Sequence, residues 1–224
     1  MKQRIILFIF LLQFFILNAQ KDWANFKKYE QANKEVSSPV RAVFIGNSIT
    51  EGWYNADPDF FTTNGFLGRG IGGQTTSEML VRFRQDVINL KPKAVVILAG
   101  TNDIAQNNGY ISIENIMGNI ISMCELAKSH KIKVFLCSVL PVKKYPWRQE
   151  VNAVEQIAAL NMLMREYCKK NRICYVDYFS VLADEEGGLP KKYAGDGVHP
   201  NLDCYRIMEK VVLKKLGKWN KAVK

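Results

Sequence analysis

Residues 42–50 read Ala-Val-Phe-Ile-Gly-Asn-Ser-Ile-Thr, an apolar run that ends in small and polar residues. The run before Gly46 predicts a buried β-strand, and Gly46-Asn47-Ser48 predicts a turn at its carboxyl end. Ligands of open α/β sheets bind at the carboxyl ends of strands. Ser48 is therefore either a nucleophile at such an edge or the N-cap of the next helix, a position that serine also favours.

The rest of the chain alternates between strand and helix patterns. Apolar runs predict further strands at 66–71, 94–99, 134–140 and 174–177. Apolar residues at helical spacing predict helices over 23–36, 75–87, 111–130, 151–170 and 202–215. The uninterrupted run at 94–99 is typical of a parallel strand that is covered on both faces. The alternation predicts a three-layer α/β/α sandwich around a parallel sheet of about five strands.

The amino terminus has the pattern of a signal peptide. Lys2 and Arg4 precede an apolar run from Ile5 to Leu17, and Ala19 offers a small residue before a cut. The run is shorter than the roughly 20 residues that a membrane-spanning helix needs. We expect residues 1–19 to be removed and residues 20–224 to form one exported domain, periplasmic or extracellular; an uncleaved anchor helix is the alternative.

Composition limits the function classes. Hydrophobic residues make up 48% and charged residues 23% of the chain, a balance typical of a folded globular domain. The net charge is +10, and part of it lies in a lysine-rich end at positions 214, 215, 218, 221 and 224. A basic face with interleaved aromatic residues is missing, so we expect no nucleic-acid partner. Adhesion of the basic end to an anionic envelope surface is a weaker alternative.

Five cysteines, at positions 124, 137, 168, 174 and 204, show no metal-binding or redox spacing. We expect them to serve packing, because free cysteine behaves as a small hydrophobic residue. One disulfide, for instance between Cys168 and Cys174, would be compatible with export, but spacing does not establish it. No metal or cofactor is expected.

A serine nucleophile needs a base, and the chain contains two histidines. His130 ends a helical stretch, where a cation suits the helix dipole, so we interpret it as structural. His199 lies in Asp196-Gly197-Val198-His199-Pro200, where Asp196 is close enough to orient the ring. The same residues also fit a tight turn followed by a helix start, and both interpretations can hold together.

An acyl-transfer site also needs hydrogen-bond donors for an oxyanion. Gly73 and Asn102 each follow a predicted strand on the same sheet edge as Ser48. The backbone N–H groups of Ser48 and Gly73 and the side-chain amide of Asn102 are the candidate donors. Taken singly, the glycine fits a flexible turn and the asparagine fits a helix cap equally well.

Three aromatic residues are candidates for a substrate-binding wall: Trp53, Tyr54 and Trp147. Aromatic faces suit sugar rings as well as acyl chains. Core or loop packing is the competing interpretation, since aromatic side chains dominate protein cores.

The polar segments together resemble the SGNH, or GDSL-like, lipase/acylhydrolase family. Its four blocks occur in order as Gly46-Asn47-Ser48, Gly70-Ile71-Gly72-Gly73, Gly100-Thr101-Asn102-Asp103 and Asp196-Gly197-Val198-His199-Pro200. The resemblance implies a flavodoxin-like sandwich with Ser48 as nucleophile, His199 as general base and Asp196 as its orienting carboxylate. It also implies an oxyanion hole formed by Ser48, Gly73 and Asn102. Asn47 stands where the family usually has aspartate.

The resemblance implies hydrolysis of short acyl esters, acetyl esters above all, carried on small molecules or glycans. A lysophospholipase or thioesterase is one alternative, and a non-catalytic carbohydrate-binding protein on the same fold is another. No stable membrane insertion is expected after signal cleavage, and the sequence leaves the oligomeric state open.

Overall fold

The computed structural model describes residues 22–37 and 39–222, with side chains described as far as residue 217. The predicted signal peptide lies outside the described residues. Within those described ranges, no helix is both long and apolar enough to cross a bilayer.

The described chain forms a five-stranded parallel sheet in the order β2-β1-β3-β4-β5. The strands are β1 (Ala42–Gly46), β2 (Phe66–Gly70), β3 (Ala94–Leu98), β4 (Lys133–Cys137) and β5 (Cys174–Val176). Ala42 lies opposite Phe66 on one side and Ala94 on the other. The strand order reverses between β1 and β3, which is the point where flavodoxin-like sheets open a crevice at their carboxyl edge.

Helices cover both faces of the sheet and confirm the three-layer sandwich. They are α1 (Glu30–Lys34), α2 (Ser48–Ala56), α3 (Pro58–Asn64), α4 (Thr76–Asp86), α5 (Thr101–Ile104), α6 (Ile113–Ser129), α7 (Ala153–Asn171), α8 (Phe179–Leu182) and α9 (Leu202–Ala222). Short 3-10 turns occupy Phe26–Tyr29 and Ile88–Leu90.

The two faces of the sheet bury different kinds of core. Helices α4, α6 and α7 pack a mostly aliphatic core against alternate residues of the strands, such as Ile45 and Ile97. Helices α2, α3 and α9 enclose an aromatic core on the other face, around Phe44 and Trp53. The side chains of neighbouring strand residues point to opposite faces, so one apolar run serves both cores.

Three predicted elements differ from the structure. Helix α9 extends to Ala222, beyond the predicted end at residue 215. Residues 23–36 do not form one amphipathic helix, because Asp22 accepts hydrogen bonds from the N–H groups of Phe26 and Lys27 and starts a short 3-10 turn instead. β4 ends at Cys137 and does not continue to residue 140, because the Asn161 side chain bonds both the N–H and the C=O of Val139.

All five cysteines are free thiols in the structure, so Cys168 and Cys174 form no disulfide. Burial raises the pKa of Cys168 to about 12 and that of Cys204 to about 11. Because the thiolate is the reactive form, these side chains serve packing.

Candidate active site

The serine turn, residues 46–49, delivers the Ser48 hydroxyl to the carboxyl edge of the sheet. The Asn47 side chain accepts a hydrogen bond from the Ile49 N–H at 3.0 Å and so caps helix α2. Ser48 is therefore not the cap, and its hydroxyl is free for another partner. A carboxylate at position 47 could accept the same N–H, which explains how asparagine fits where aspartate is usual.

The Ser48 hydroxyl lies 2.9 Å from Nε2 of His199, across 151 residues of sequence. The other ring nitrogen, Nδ1, lies 2.6 Å from Oδ2 of Asp196. An ionised carboxylate only accepts hydrogen bonds, so Nδ1 carries the ring proton and Nε2 accepts from Ser48. A hydroxyl hydrogen-bonded to an imidazole that is backed by a carboxylate is the arrangement that activates serine for attack.

Asp196 also stabilises the loop that contains it by accepting backbone hydrogen bonds. Its Oδ1 accepts the N–H groups of Val198 and His199 at 2.9 and 2.8 Å. Partial burial would raise the Asp196 pKa, but the hydrogen bonds from His199 and Val198 outweigh it and lower the pKa below the usual 3.8. The carboxylate is therefore charged through the neutral range, as the orientation of an imidazole requires.

The glycine loop, residues 72–74, lies beside Ser48 and is held by three side chains from other elements. A Cβ placed on Gly72 would lie 3.9 Å from the Ser48 Cβ. Glu51 accepts the Gly72 N–H at 2.7 Å, and the Asn107 side chain donates to the Gly73 carbonyl at 3.3 Å. Asn102 donates to the carbonyl of Gln74 at 2.9 Å.

Gly73 and Asn102, two of the predicted oxyanion donors, lie in the glycine loop and in the segment that bonds to it. Gly73 has φ +78°, a left-handed conformation that glycine adopts without cost. The Asn102 amide has two N–H groups and uses one on Gln74, which leaves the second for a ligand. Asp103 ties this segment to helix α4 by accepting the N–H and hydroxyl of Thr76 at 3.0 and 2.5 Å.

A ring contact and two hydrogen bonds join the histidine to the glycine loop. The Trp147 ring stacks near the His199 ring, with centroids 6.3 Å apart and planes at 28°. Its Nε1 donates to Oδ1 of Asn107 at 3.0 Å, and Asn107 in turn donates to Gly73. Trp147 is 44% exposed, so one part of the indole remains available beside the Ser48–His199 pair.

The structure brings together only part of the predicted aromatic wall. Trp53 is the wrong choice, because it is 1% exposed and its Nε1 donates to Glu209 inside the aromatic core. Tyr54 packs against Phe61 and lines a cavity beside β2 whose walls include neither Ser48 nor His199. Trp147 alone of the three lies at the site.

His130 ends helix α6 and takes no part in the site. Its Nδ1 lies 2.9 Å from the Leu126 carbonyl, one turn back along the helix. This contact matches the structural role that its position at a helix end predicted.

Sequence reasoning missed Glu51 and Asn107, which position the glycine loop. Glu51 follows Ser48 by three residues, so helical spacing alone could have placed it on the same side of α2 as the serine. Asn107 lies in the loop after α5 and carries no periodic signal. Among the residues that the structure describes, no group of three or more histidine, cysteine, aspartate or glutamate side chains could hold a metal ion.

Comparison with known proteins gives the site a family context. A family model described as GDSL-like Lipase/Acylhydrolase matches residues 44–207. The chain is 48% identical to a GDSL-like lipase from Bacteroides thetaiotaomicron, over 88% of this chain and 99% of that one, with a TM-score of 0.85. It is 47% identical to a provisionally assigned acylhydrolase from Bacteroides fragilis, over 89% and 99% of the two chains, with a TM-score of 0.87.

A more distant similarity links the chain to the human platelet-activating factor acetylhydrolase IB subunit alpha2. The two are 28% identical over 127 residues, which is 54% of this chain and 53% of that protein. The chain spans about half, or less, of the length of the curated relatives that it matches.

Proposed function

We propose that this chain, which belongs to the GDSL-like lipase/acylhydrolase family, is a serine esterase for short acyl esters. The observation that carries the proposal is the hydrogen-bonded series Ser48–His199–Asp196, with separations of 2.9 and 2.6 Å. Family membership implies hydrolysis of acyl compounds, and the arrangement of these three side chains supports an ester mechanism through an acyl-enzyme.

In this mechanism, the Ser48 oxygen attacks the ester carbonyl while its proton passes to Nε2 of His199. The backbone N–H groups of Ser48 and Gly73 and the free amide N–H of Asn102 stabilise the negative oxygen of the tetrahedral intermediate. The intermediate collapses, and the departing alcohol takes the proton from His199. Water then attacks the acyl-enzyme, gives a proton to His199 and releases the acid, and the proton returns to Ser48.

For the substrate, we propose an acetyl ester on a carbohydrate. The exposed indole of Trp147 beside His199 supports a ring-shaped alcohol portion, because aromatic faces bind apolar sugar faces. The name of the acetylhydrolase relative supports a two-carbon acyl group. The charged and apolar segments at the amino terminus support export to the periplasm or the cell exterior.

The test is hydrolysis of p-nitrophenyl acetate, butyrate and octanoate and of acetylated sugars by the wild type and by Ser48→Ala. We expect the acetyl esters to be hydrolysed fastest and the variant to lose at least about 10⁴-fold in kcat. The melting temperature of the variant should stay near that of the wild type, since removal of one partly exposed hydroxyl costs little.

Other outcomes would point to the alternatives. Appreciable hydrolysis by Ser48→Ala would refute the assignment of Ser48 as the nucleophile. A preference for chains of eight carbons or more would favour a lysophospholipase or thioesterase. Glycan binding by a wild type that hydrolyses none of these esters would favour a carbohydrate-binding protein.

A further inference from the structure

The edge of the sheet opposite Ser48 carries a concave surface that the proposed esterase does not use. Two adjoining cavities of about 460 and 470 Å³ open there and share Ile132 as a common wall. They lie where β3 and β4 begin and where helices α6 and α7 end. We call the two together the basic groove.

Among the residues that the structure describes, the basic groove is lined by cationic and uncharged side chains and by no carboxylate. Its charged lining residues are Lys93, Lys128, Lys131, Lys133 and Arg172 in the first cavity and Arg84 and Lys91 in the second. His130 also lines the second cavity. Within residues 22–37 and 39–217, none of these lysine and arginine side chains forms an ion pair with a carboxylate. The whole chain has 31 basic and 21 acidic residues, so the basic groove is more strongly basic than the chain as a whole.

Two lysines at the starts of adjacent strands line the first cavity. Lys133 begins β4, and its N–H donates to the carbonyl of Lys93, the residue before β3, at 3.0 Å. Both residues line the first cavity, where a bound anion would offset their positive charge. Helix dipoles account for basic residues at the ends of α6 and α7, but not for these two.

Three cationic residues of the groove have a left-handed backbone conformation, which glycine usually occupies at helix ends. Lys91, Lys131 and Arg172 have φ values of 46°, 59° and 54°, which is the left-handed region. Each follows the end of a helix or 3-10 turn, a place where glycine is the usual residue because it adopts this conformation without cost. The three sites instead carry cationic side chains that line the basic groove.

We propose that the basic groove binds a linear acidic polysaccharide. Two adjoining cavities suit a chain with repeated anionic groups, and lysine ammonium groups act as point charges for carboxylates or sulfates. Among the described residues, no tryptophan, tyrosine or phenylalanine side chain lines either cavity, which disfavours the base stacking that single-stranded nucleic acids need. The surface is concave and its shared wall, Ile132, is buried, which disfavours insertion into a flat membrane. This proposal stands on the groove and does not depend on the esterase.

The test measures binding of polygalacturonate at increasing salt by the wild type and two charge-matched variants. Lys93→Gln/Lys131→Gln/Lys133→Gln removes three charges from the groove. Lys27→Gln/Lys192→Gln/Lys210→Gln removes three from exposed positions outside it. We expect the groove variant to raise Kd about tenfold or more and to reduce the salt dependence of Kd, and the matched variant to change Kd less than about threefold.

A second variant removes charge without disturbing the backbone. In Lys131→Gly/Arg172→Gly, glycine relieves the left-handed positions, so the melting temperature should hold or rise while polygalacturonate binding weakens. Hydrolysis of p-nitrophenyl acetate should be unchanged in every variant, since all these residues lie away from Ser48.

The proposal is overturned if the groove and matched variants lose binding equally, because the net charge of the protein would then account for its binding of polygalacturonate. It is also overturned if the wild type does not bind polygalacturonate. Tighter, groove-dependent binding of oligo-dT or of phosphatidylglycerol vesicles than of polygalacturonate would assign the groove to a nucleic acid or a membrane instead.

Discussion

Ser48 and His199 meet at one point, but the regions that present them are built differently. The serine turn rests on buried structure: Arg82 is fully buried and donates to the Gly46 carbonyl at 2.9 Å, and Asn47 is buried beneath it. The histidine loop, residues 195–200, is at the surface, where the side chains of Asp196 and His199 are 43% and 42% exposed. The core therefore places the nucleophile, while bonds local in sequence place the base.

This contrast separates stability from activity. Changes beneath the serine turn should destabilise the fold, because they remove hydrogen-bond and ion-pair partners from buried polar groups. Changes in the histidine loop should stop catalysis and leave the fold intact, because the groups they expose already face water.

The largest effect is expected from Asp196→Asn. The amide oxygen can still accept the N–H groups of Val198 and His199, so the loop should keep its shape. The amide nitrogen would face Nδ1 and favour the wrong ring tautomer, which should lower kcat by about 10²–10⁴-fold. Steady-state kinetics on p-nitrophenyl acetate, with a melting curve as control, measures this. A variant with near wild-type kcat would show that Asp196 does not orient His199.

The next effect is on stability, from Arg82→Met. Arg82 donates to Gln74, Asp86 and the Gly46 carbonyl. Its loss leaves the buried Asp86 carboxylate without its ion-pair partner, with the Asn33 amide still donating to it. We expect a loss of about 3–5 kcal/mol in the free energy of unfolding. Urea unfolding measures this loss.

The matched control for Arg82→Met is Arg165→Met, which breaks the exposed ion pair with Asp177. It should cost less than about 1 kcal/mol. Equal losses in the free energy of unfolding would contradict the inference that buried contacts beneath the serine turn stabilise the fold more than a surface ion pair does.

A smaller effect should come from the chain that joins the two regions. Asn107→Ala removes the bond to the Gly73 carbonyl and should lower kcat up to about tenfold with KM little changed, because one hydrogen bond contributes about 0.5–1.5 kcal/mol. Trp147→Phe keeps an aromatic ring and loses the bond from Nε1 to Asn107, and it should lower kcat less. Asn89→Ala, exposed at the opposite edge, is the control. A rise in KM with unchanged kcat would make Asn107 a substrate contact instead of a positioning residue.

The smallest effect is the pH dependence of stability in the histidine loop. Because the folded protein lowers the Asp196 pKa, the ionised carboxylate stabilises the fold above its unfolded pKa, and this contribution is lost as pH falls through the lower, folded value. Urea midpoints of the wild type and Asp196→Asn should therefore differ slightly at pH 7 and converge at strongly acidic pH. A difference that grows toward acidic pH would contradict the lowered pKa.

Much of the architecture could be predicted from the amino-acid sequence. Alternating strand and helix patterns predicted the parallel sandwich, and each strand core was located within a few residues. The ends were less predictable: β4 stops early because Asn161, 22 residues further on, takes the backbone groups of Val139. The hydrophobic periodicity of a strand depends on its own residues, so it does not report a side chain that bonds to the strand's backbone from elsewhere in the sequence.

The sequence by itself determined which segments carry polar loops and in what order, because burial periodicity and turn residues are local properties. It also singled out Ser48, Gly73, Asn102, Asp196 and His199 as candidates for one site. Only the tertiary structure decided that Trp53 packs in the core while Trp147 lies beside His199, and that Asn107 and Glu51 hold the glycine loop. Those outcomes depend on which distant segments share an edge of the sheet, and two tryptophans look alike until packing assigns one to the interior and the other to the surface.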